Sequence, residues 1–221
     1  MTRTALERQL AEVQEDMLVL ANMVESAIDR GIQALRNRDV ELARQIIADD
    51  LKINRKRYET EEKCLELMAT QQPLASDLRT IVAVLYIIVD LERMGDHAEG
   101  IAKIALILAD EPPLKPYIDI PRMAQVAIGM LMGSLEAFKT RDADRARSIC
   151  DEDDEVDALY DQVYRELLTF MLQDPRTIHR ATHLTWVAHN LERIADRVTN
   201  ICERVVYLVE GKIGELNVSK Y

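Results

Sequence analysis

The sequence predicts an all-α protein built as two tandem three-helix bundles related by internal duplication. Two observations carry this. Composition comes first: hydrophobic residues make up 48% of the 221 positions and aromatics only 5%, with 7 Gly and 6 Pro in the whole chain. Good helix formers dominate, and glycines for strand turns are too few. Second, Asp90-Leu-Glu-Arg-Met-Gly-Asp96 returns 100 residues later as Asn190-Leu-Glu-Arg-Ile-Ala-Asp196, with Leu91/Leu191, Glu92/Glu192, Arg93/Arg193, Asp96/Asp196 and Ile101/Ile201 identical. Two unrelated amphipathic helices would not agree so far, so whatever Glu92 and Asp96 do is expected to be done twice.

The elements follow in order. From about Ala5 to Asn37, apolar residues recur at helical spacing through Leu6, Leu10, Val13, Met17, Leu20, Val24, Ile28, Ile32 and Leu35, which predicts one long amphipathic helix. Asp39 is placed to cap a second helix, running to about Thr70 with Leu42, Ile46, Ile47, Leu51, Ile53, Tyr58 and Leu65 as its apolar set. Pro73 falls where a third helix, reaching about Ala109, would place its first residue. Asp110 to Pro121 hold four of the six prolines, and proline cannot continue a helix, so this stretch is the joint between halves. The domains are therefore 1–110, a linker at 111–121, and 122–221. The second half repeats the plan: a helix from about Arg122 to Thr140, a cap at Asp142, a helix to about Gln173, Pro175 as opener, and a last helix to about Glu210. The tail after Gly211 is expected to be loosely held.

The net charge of −11 is spread over both halves. Neither half is a basic arm, which disfavours a nucleic-acid reader, since phosphate neutralisation needs a positive face. The cluster Lys52, Arg55, Lys56, Arg57 reads as a solvated helix face. Cys64, Cys150 and Cys202 stand singly within helical patterns, as small buried side chains in a reducing compartment do. The chain is charged from Arg3 onward with no apolar signal region, and its longest apolar run, Ile81 to Val89, is nine residues, too short for a bilayer. A soluble, cytoplasmic protein is expected.

The chemistry is in the acids. In the second helix of each half an oxygen-bearing pair again sits four residues apart, Asp50 and Asn54, then Asp153 and Asp157, which puts both side chains on one helix face. Folding the second and third helices of a half as an antiparallel hairpin about Pro73 sets Asn54 level with Glu92 and Asp50 with Asp96. Folding the other half between Asp174 and Pro175 sets Asp157 level with Glu192 and Asp153 with Asp196. The pivots fall on the helix openers already assigned. Three carboxylates then gather in the first cluster and four in the second, and such groups repel unless protonated or given a cation. Oxygen-only ligands select hard cations such as Mg²⁺, Mn²⁺, Ca²⁺ or ferric iron over zinc, with iron, Mn²⁺ or Mg²⁺ the expected ions. The competing reading is a surface of ordinary ion pairs, Glu92 beside Arg93 among them. His179 and His183 share the four-residue spacing of zinc ligands but lack a third partner, and His97 beside Asp96 is more commonly a packing residue. No Gly-rich phosphate loop, partnered nucleophile or kinase signature is present. A di-metal bundle enzyme would carry Glu-x-x-His, yet position 95 is Gly and position 195 is Ala.

On the doubled Leu-Glu-Arg-x-x-Asp segments, Pro73-Leu74-Ala75-Ser76-Asp77-Leu78-Arg79 and Asn200-Ile201-Cys202-Glu203, essentially the whole chain resembles the PhoU family of phosphate-transport regulators. The resemblance implies two three-helix bundles side by side and a non-enzymatic negative regulator of phosphate uptake and phosphate-starvation signalling. The implied partners are the ATPase subunit of a phosphate ABC transporter and a sensor histidine kinase, so that the membrane is met only through partners, and a homodimer is expected. It further implies metal binding at Asp50, Asn54, Glu92, Asp96, Asp153, Asp157, Glu192 and Asp196. Two departures stand out: Glu99-Gly100 replaces Thr199-Asn200, and the neutral Asn54 is a weaker ligand than Asp157.

Overall fold

Six α-helices and one short 3₁₀ turn make up the described structure: α1 (Arg3–Asn37), α2 (Val40–Gln71), α3 (Ala75–Leu108), α4 (Asp119–Thr140), α5 (Ala143–Gln173), the turn Pro175–Thr177, and α6 (Ile178–Glu210). This computed structural model describes residues 3–212, 214 and 216, and contains no strand among them. Most of the tail after Gly211 lies outside the described residues. None of the described helices is long and apolar enough to cross a membrane.

The duplication reaches down to backbone torsions. Arg38 and Arg141 both adopt left-handed conformations, φ 56° and 54°, and the next residue of each turn caps the following helix. Asp39 accepts the Leu42 N–H at 2.9 Å and Asp142 accepts that of Arg145 at 2.8 Å, satisfying donors that a helix start leaves open. A non-glycine left-handed residue costs on the order of 1 kcal/mol, and the same cost recurs at the same place in both halves.

The openers differ from the sequence expectation by a few residues. Pro73 precedes α3 by two positions, because Asp77 folds back to accept the Leu74 N–H at 3.2 Å and fixes the start at Ala75. Pro121 lies inside the first turn of α4, which begins at Asp119; the first turn has no intrahelical acceptor for its N–H groups, so proline fits there. Pro175 opens the 3₁₀ turn ahead of α6.

One contiguous core runs through both three-helix units. Its centre is the α3–α6 pair, with α1 and α2 packed on α3, α4 and α5 on α6, and α1 also touching α4. That accounts for α3, whose buried residues (Ile81, Val84, Ile88, Leu91, Met94 and others) surround the helix rather than line one face. α2 and α5 are the outer helices; among the described elements α2 packs against α1 and α3 alone. Leu51, Tyr58 and Leu65, expected in the core, are exposed, and the core face of α2 is Ile46, Ile53, Cys64 and Leu67.

Candidate functional site

Where α2 meets α3, Gly95 allows the two backbones to close in. A Cβ there would stand 3.0 Å from Ile53 Cγ2 and 3.6 Å from Asp50 Oδ1. Asp50 is thus set against the α3 motif, as the hairpin register requires. Burial pushes its carboxyl above the usual range, the charges of Glu99, Asp96 and Glu92 push it further, and the amide of Asn54, donating to Oδ2 at 2.8 Å, opposes the rise. Asp50 Oδ1 is buried and accepts no hydrogen bond. Burial and then Asp96 also raise Glu92, against the pull of Arg93, Arg57 and Arg197.

The second seam, between α5 and α6, repeats the plan with greater force. Tyr160 comes opposite His189, their ring centroids 6.2 Å apart, as the second pivot predicts. Asp153 is 3% exposed; burial, then Asp157, Asp196 and Glu192, push its carboxyl up to about 7. Burial, then Asp196, push Glu192 up to about 7 as well. Asp157 is raised by burial, Asp196 and Asp154. All four α5 and α6 acids therefore share one electrostatic neighbourhood.

Each seam is edged by its motif arginine. Arg93 Nη1 reaches Asp96 at 3.1 Å and its Nε stands 3.6 Å from Glu92; Arg193 Nη1 reaches Asp196 at 2.9 Å and its Nε stands 3.1 Å from Glu192. The ion-pair reading and the clustered-acid reading thus describe the same residues. With Asp96 and Asp196 turned to these arginines, no three His, Cys, Asp or Glu side chains among the described residues stand close enough to hold an ion as placed. The donor chemistry fits a hard cation nonetheless: the groups are oxygens, their ionised forms are disfavoured by one another, and Asp50 Oδ1 is an open buried acceptor.

Two residues escaped the sequence reading. Glu99 is the strongest charged neighbour of Asp50 and is bonded to Lys103 at 2.6 Å, so the first seam also has four carboxylates, Asp50, Glu92, Asp96 and Glu99. The spacing of Glu92, Asp96 and Glu99 on one helix face was the available signal. The lost charge at Asn54 is made up at Glu99, where the second half has Thr199. His189 lies with Nδ1 3.4 Å from Glu192, on the second seam alone. The other candidates take different roles. His97 Nδ1 pairs with Asn190 Oδ1 at 2.9 Å, and His179 with Glu111 at 2.9 Å, with His183 stacked beside it. The basic cluster is not simply solvated, since Lys56 bonds to Asp16 and Arg57, half-buried, to Glu61 at 2.7 Å.

Between the seams the two motifs grip one another. Asp90 Oδ1 accepts from Arg197 and Asn200, both at 3.2 Å. Its counterpart Asn190 contacts His97, and a Cβ on Gly100 would stand 3.2 Å from Asn190 Oδ1. Equivalent positions thus cross to each other's helix, as a pseudo-two-fold axis between α3 and α6 requires.

The fold and site define a class: duplicated six-helix proteins with an acidic seam in each half. A family model described as "PhoU domain" matches residues 17–105 and again 120–205. The phosphate-specific transport system accessory protein PhoU homolog of Aquifex aeolicus is 44% identical over 93% of this chain and 93% of its own length. Crystal structures of PhoU from Pseudomonas aeruginosa (36% identity, TM-score 0.88, covering 93% of this chain and 99% of that one) and from Streptococcus pneumoniae (33%, 0.88, 95% and 99%) share the architecture. The chain belongs to the PhoU family.

Proposed function

We propose that this chain is a cytoplasmic negative regulator of phosphate uptake and phosphate-starvation signalling, acting by docking to the ATPase subunit of a phosphate transporter and to a sensor histidine kinase. The relatives' names, as accessory proteins of the phosphate-specific transport system, support the transport half of this reading. In the same proposal each seam takes an oxygen-ligated cation, iron, Mn²⁺ or Mg²⁺, held by Asp50, Asn54, Glu92 and Asp96 in one half and by Asp153, Asp157, Glu192 and Asp196 in the other. The carrying observation is the pair of four-carboxylate seams at equivalent places, each with its acids pushed toward the neutral form. A bound cation would relieve that repulsion and draw α2 onto α3 and α5 onto α6, setting the shape of the outer helices that partners meet.

The test is metal analysis of the purified protein against Asp96→Ala/Asp196→Ala, followed by capture of the ATPase subunit and of the kinase by both forms. Bound metal in the wild type, lost in the variant together with capture, supports the reading. Equal, negligible metal in both would reduce the seams to inert scaffolding; capture of neither partner, at high and low phosphate alike, would remove the docking role. One observation favours a second reading, a metal-dependent enzyme: His189 offers a nitrogen donor beside Glu192. Oxygen consumption or phosphatase turnover by metal-loaded protein, abolished in Glu192→Ala, would establish it.

A further inference from the structure

α1 and α2 leave a cleft between them in the first half. It encloses about 400 Å³, within the range of small-molecule sites. Its floor is aliphatic, built from Met23, Ala27, Ile46 and Ile53, and the exposed Val19 and Lys52 stand at its edges. From Val19 to Arg30 it follows α1 over about 16 Å at 1.5 Å per residue, so the space is long and narrow. No aromatic ring lines it.

The charge is collected toward the α1–α2 turn. Arg30 Nη1 donates to Asp49 Oδ2 at 2.9 Å, and Lys52 Nζ donates to Asp49 Oδ1 at 2.7 Å. Two cations share one carboxylate, so the group carries an excess positive charge, and both cations keep N–H donors for a further acceptor. In a chain of net charge −11, that excess runs against the average. The end of the cleft near Val19 and Met23 offers apolar surface instead.

The duplicate half shows that the fold does not require such an opening. By the 103-residue offset that relates Asp39 to Asp142, Val19 and Lys52 correspond to Arg122 and Glu155. Those two bond to each other from α4 to α5 at 2.7 Å. Ala27 corresponds to Met130, which is fully buried, and Arg30 to Gly133. A strap across the top and a larger side chain below thus stand in α4 and α5 where α1 and α2 leave room.

We infer that the cleft between α1 and α2 binds a medium-chain aliphatic carboxylate, its chain laid on Met23, Ala27 and Ile53 toward Val19 and its head group held by Lys52 and Arg30. A nucleobase or other flat ring would find no aromatic surface to stack on, and an amine would meet the excess positive charge. Ile53 also meets Gly95, so the ligand lies one side chain away from the first acidic seam. The inference needs neither a cation in the seams nor a transporter or kinase, so it and the proposed function fail separately.

Isothermal titration calorimetry of the full-length chain with octanoate tests it. The wild type should bind octanoate at one site per chain, with acetate and octylamine weaker by roughly tenfold or more. Ala27→Met, which copies Met130, and Val19→Arg/Lys52→Glu, which copies the strap, should each abolish the isotherm while circular dichroism shows unchanged helix content. Lys52→Met should weaken octanoate by roughly tenfold and leave the binding of octanol as in the wild type. No saturable binding of octanoate by the wild type, binding that survives both closing variants, or octylamine held as tightly as octanoate would overturn the inference.

Discussion

Replacing Asp153 by Asn should stabilise the metal-free protein above neutral pH and do little in acid. Asp153 is buried among Asp157, Asp196 and Glu192, and its carboxyl is pushed from 3.8 up to about 7. A carboxyl raised in the folded state binds its proton there more tightly than in the unfolded chain. The associated stability is therefore complete below pH 3.8, falls as pH rises between 3.8 and about 7, and is absent above that. At about 1.4 kcal/mol per unit, a rise of roughly 3 units corresponds to an upper bound of about 4 kcal/mol. Part of the rise comes from burial and the rest is divided among Asp157, Asp196 and Glu192, so removing one charge from this coupled group is worth about 2 kcal/mol. The assay is urea unfolding in the presence of a chelator at pH 4 and pH 8, wild type against Asp153→Asn. The variant should gain about 2 kcal/mol at pH 8 relative to its standing at pH 4. Adding Mn²⁺ at pH 8 should reverse the order, stabilising the wild type more than the variant. A difference between the two proteins that is the same at both pH values would refute the crowded seam, because it would mean that the charge on Asp153 has no unfavourable company.

Asp16 tests the opposite sign. Burial raises its carboxyl, but hydrogen bonds and charge from Lys56 and Lys63 outweigh burial and hold it below 3.8. Asp16→Asn should cost about 1–2 kcal/mol at pH 7, with the deficit shrinking as pH falls below 3.8, read from urea midpoints at both ends. Gly95→Ala should lower the melting temperature, since the added Cβ meets Ile53 at 3.0 Å. Gly129→Ala, with nothing within 4 Å, should instead gain about 1 kcal/mol from helix propensity; equal shifts in the two would deny the close α2–α3 approach. Asp90→Ala leaves Arg197 and Asn200 without their shared acceptor and should cost about 2–3 kcal/mol in chemical denaturation. Pairing it with Arg197→Ala should recover part of that loss, and strictly additive costs would show the contact to be idle.

Helix content, hairpin pivots and the register of the acids could be read from one sequence because they depend on spacing alone. Asp50 does meet the α3 motif, and Tyr160 does come level with His189. What spacing could not supply was rotamer choice. Arg93 and Arg193 stand near enough along their helices to hold Asp96 and Asp196, so the acids share a neighbourhood without closing a ring. Glu99 was missed because the halves were compared by identity, and its counterpart is Thr199; the charge had moved between helices rather than been kept. On α2, two apolar stripes overlap within one helical pattern, and only the packing of α1 and α3 decides that Ile46 and Ile53 face inward while Leu51 and Tyr58 face out. The contacts of Asp90 with Arg197 and Asn200 cross from one half to the other, which no periodicity within a half encodes.

The pseudo-two-fold crossing of α3 and α6 has chemically unlike ends. At one end the latch is ionic, Asp90 with Arg197; at the mirror position it is an uncharged amide against an imidazole, Asn190 with His97. In this chain one clasp depends on a charge and the other does not, so Arg197→Gln would strip the charge from one end of the α3–α6 crossing and leave the opposite end as it is.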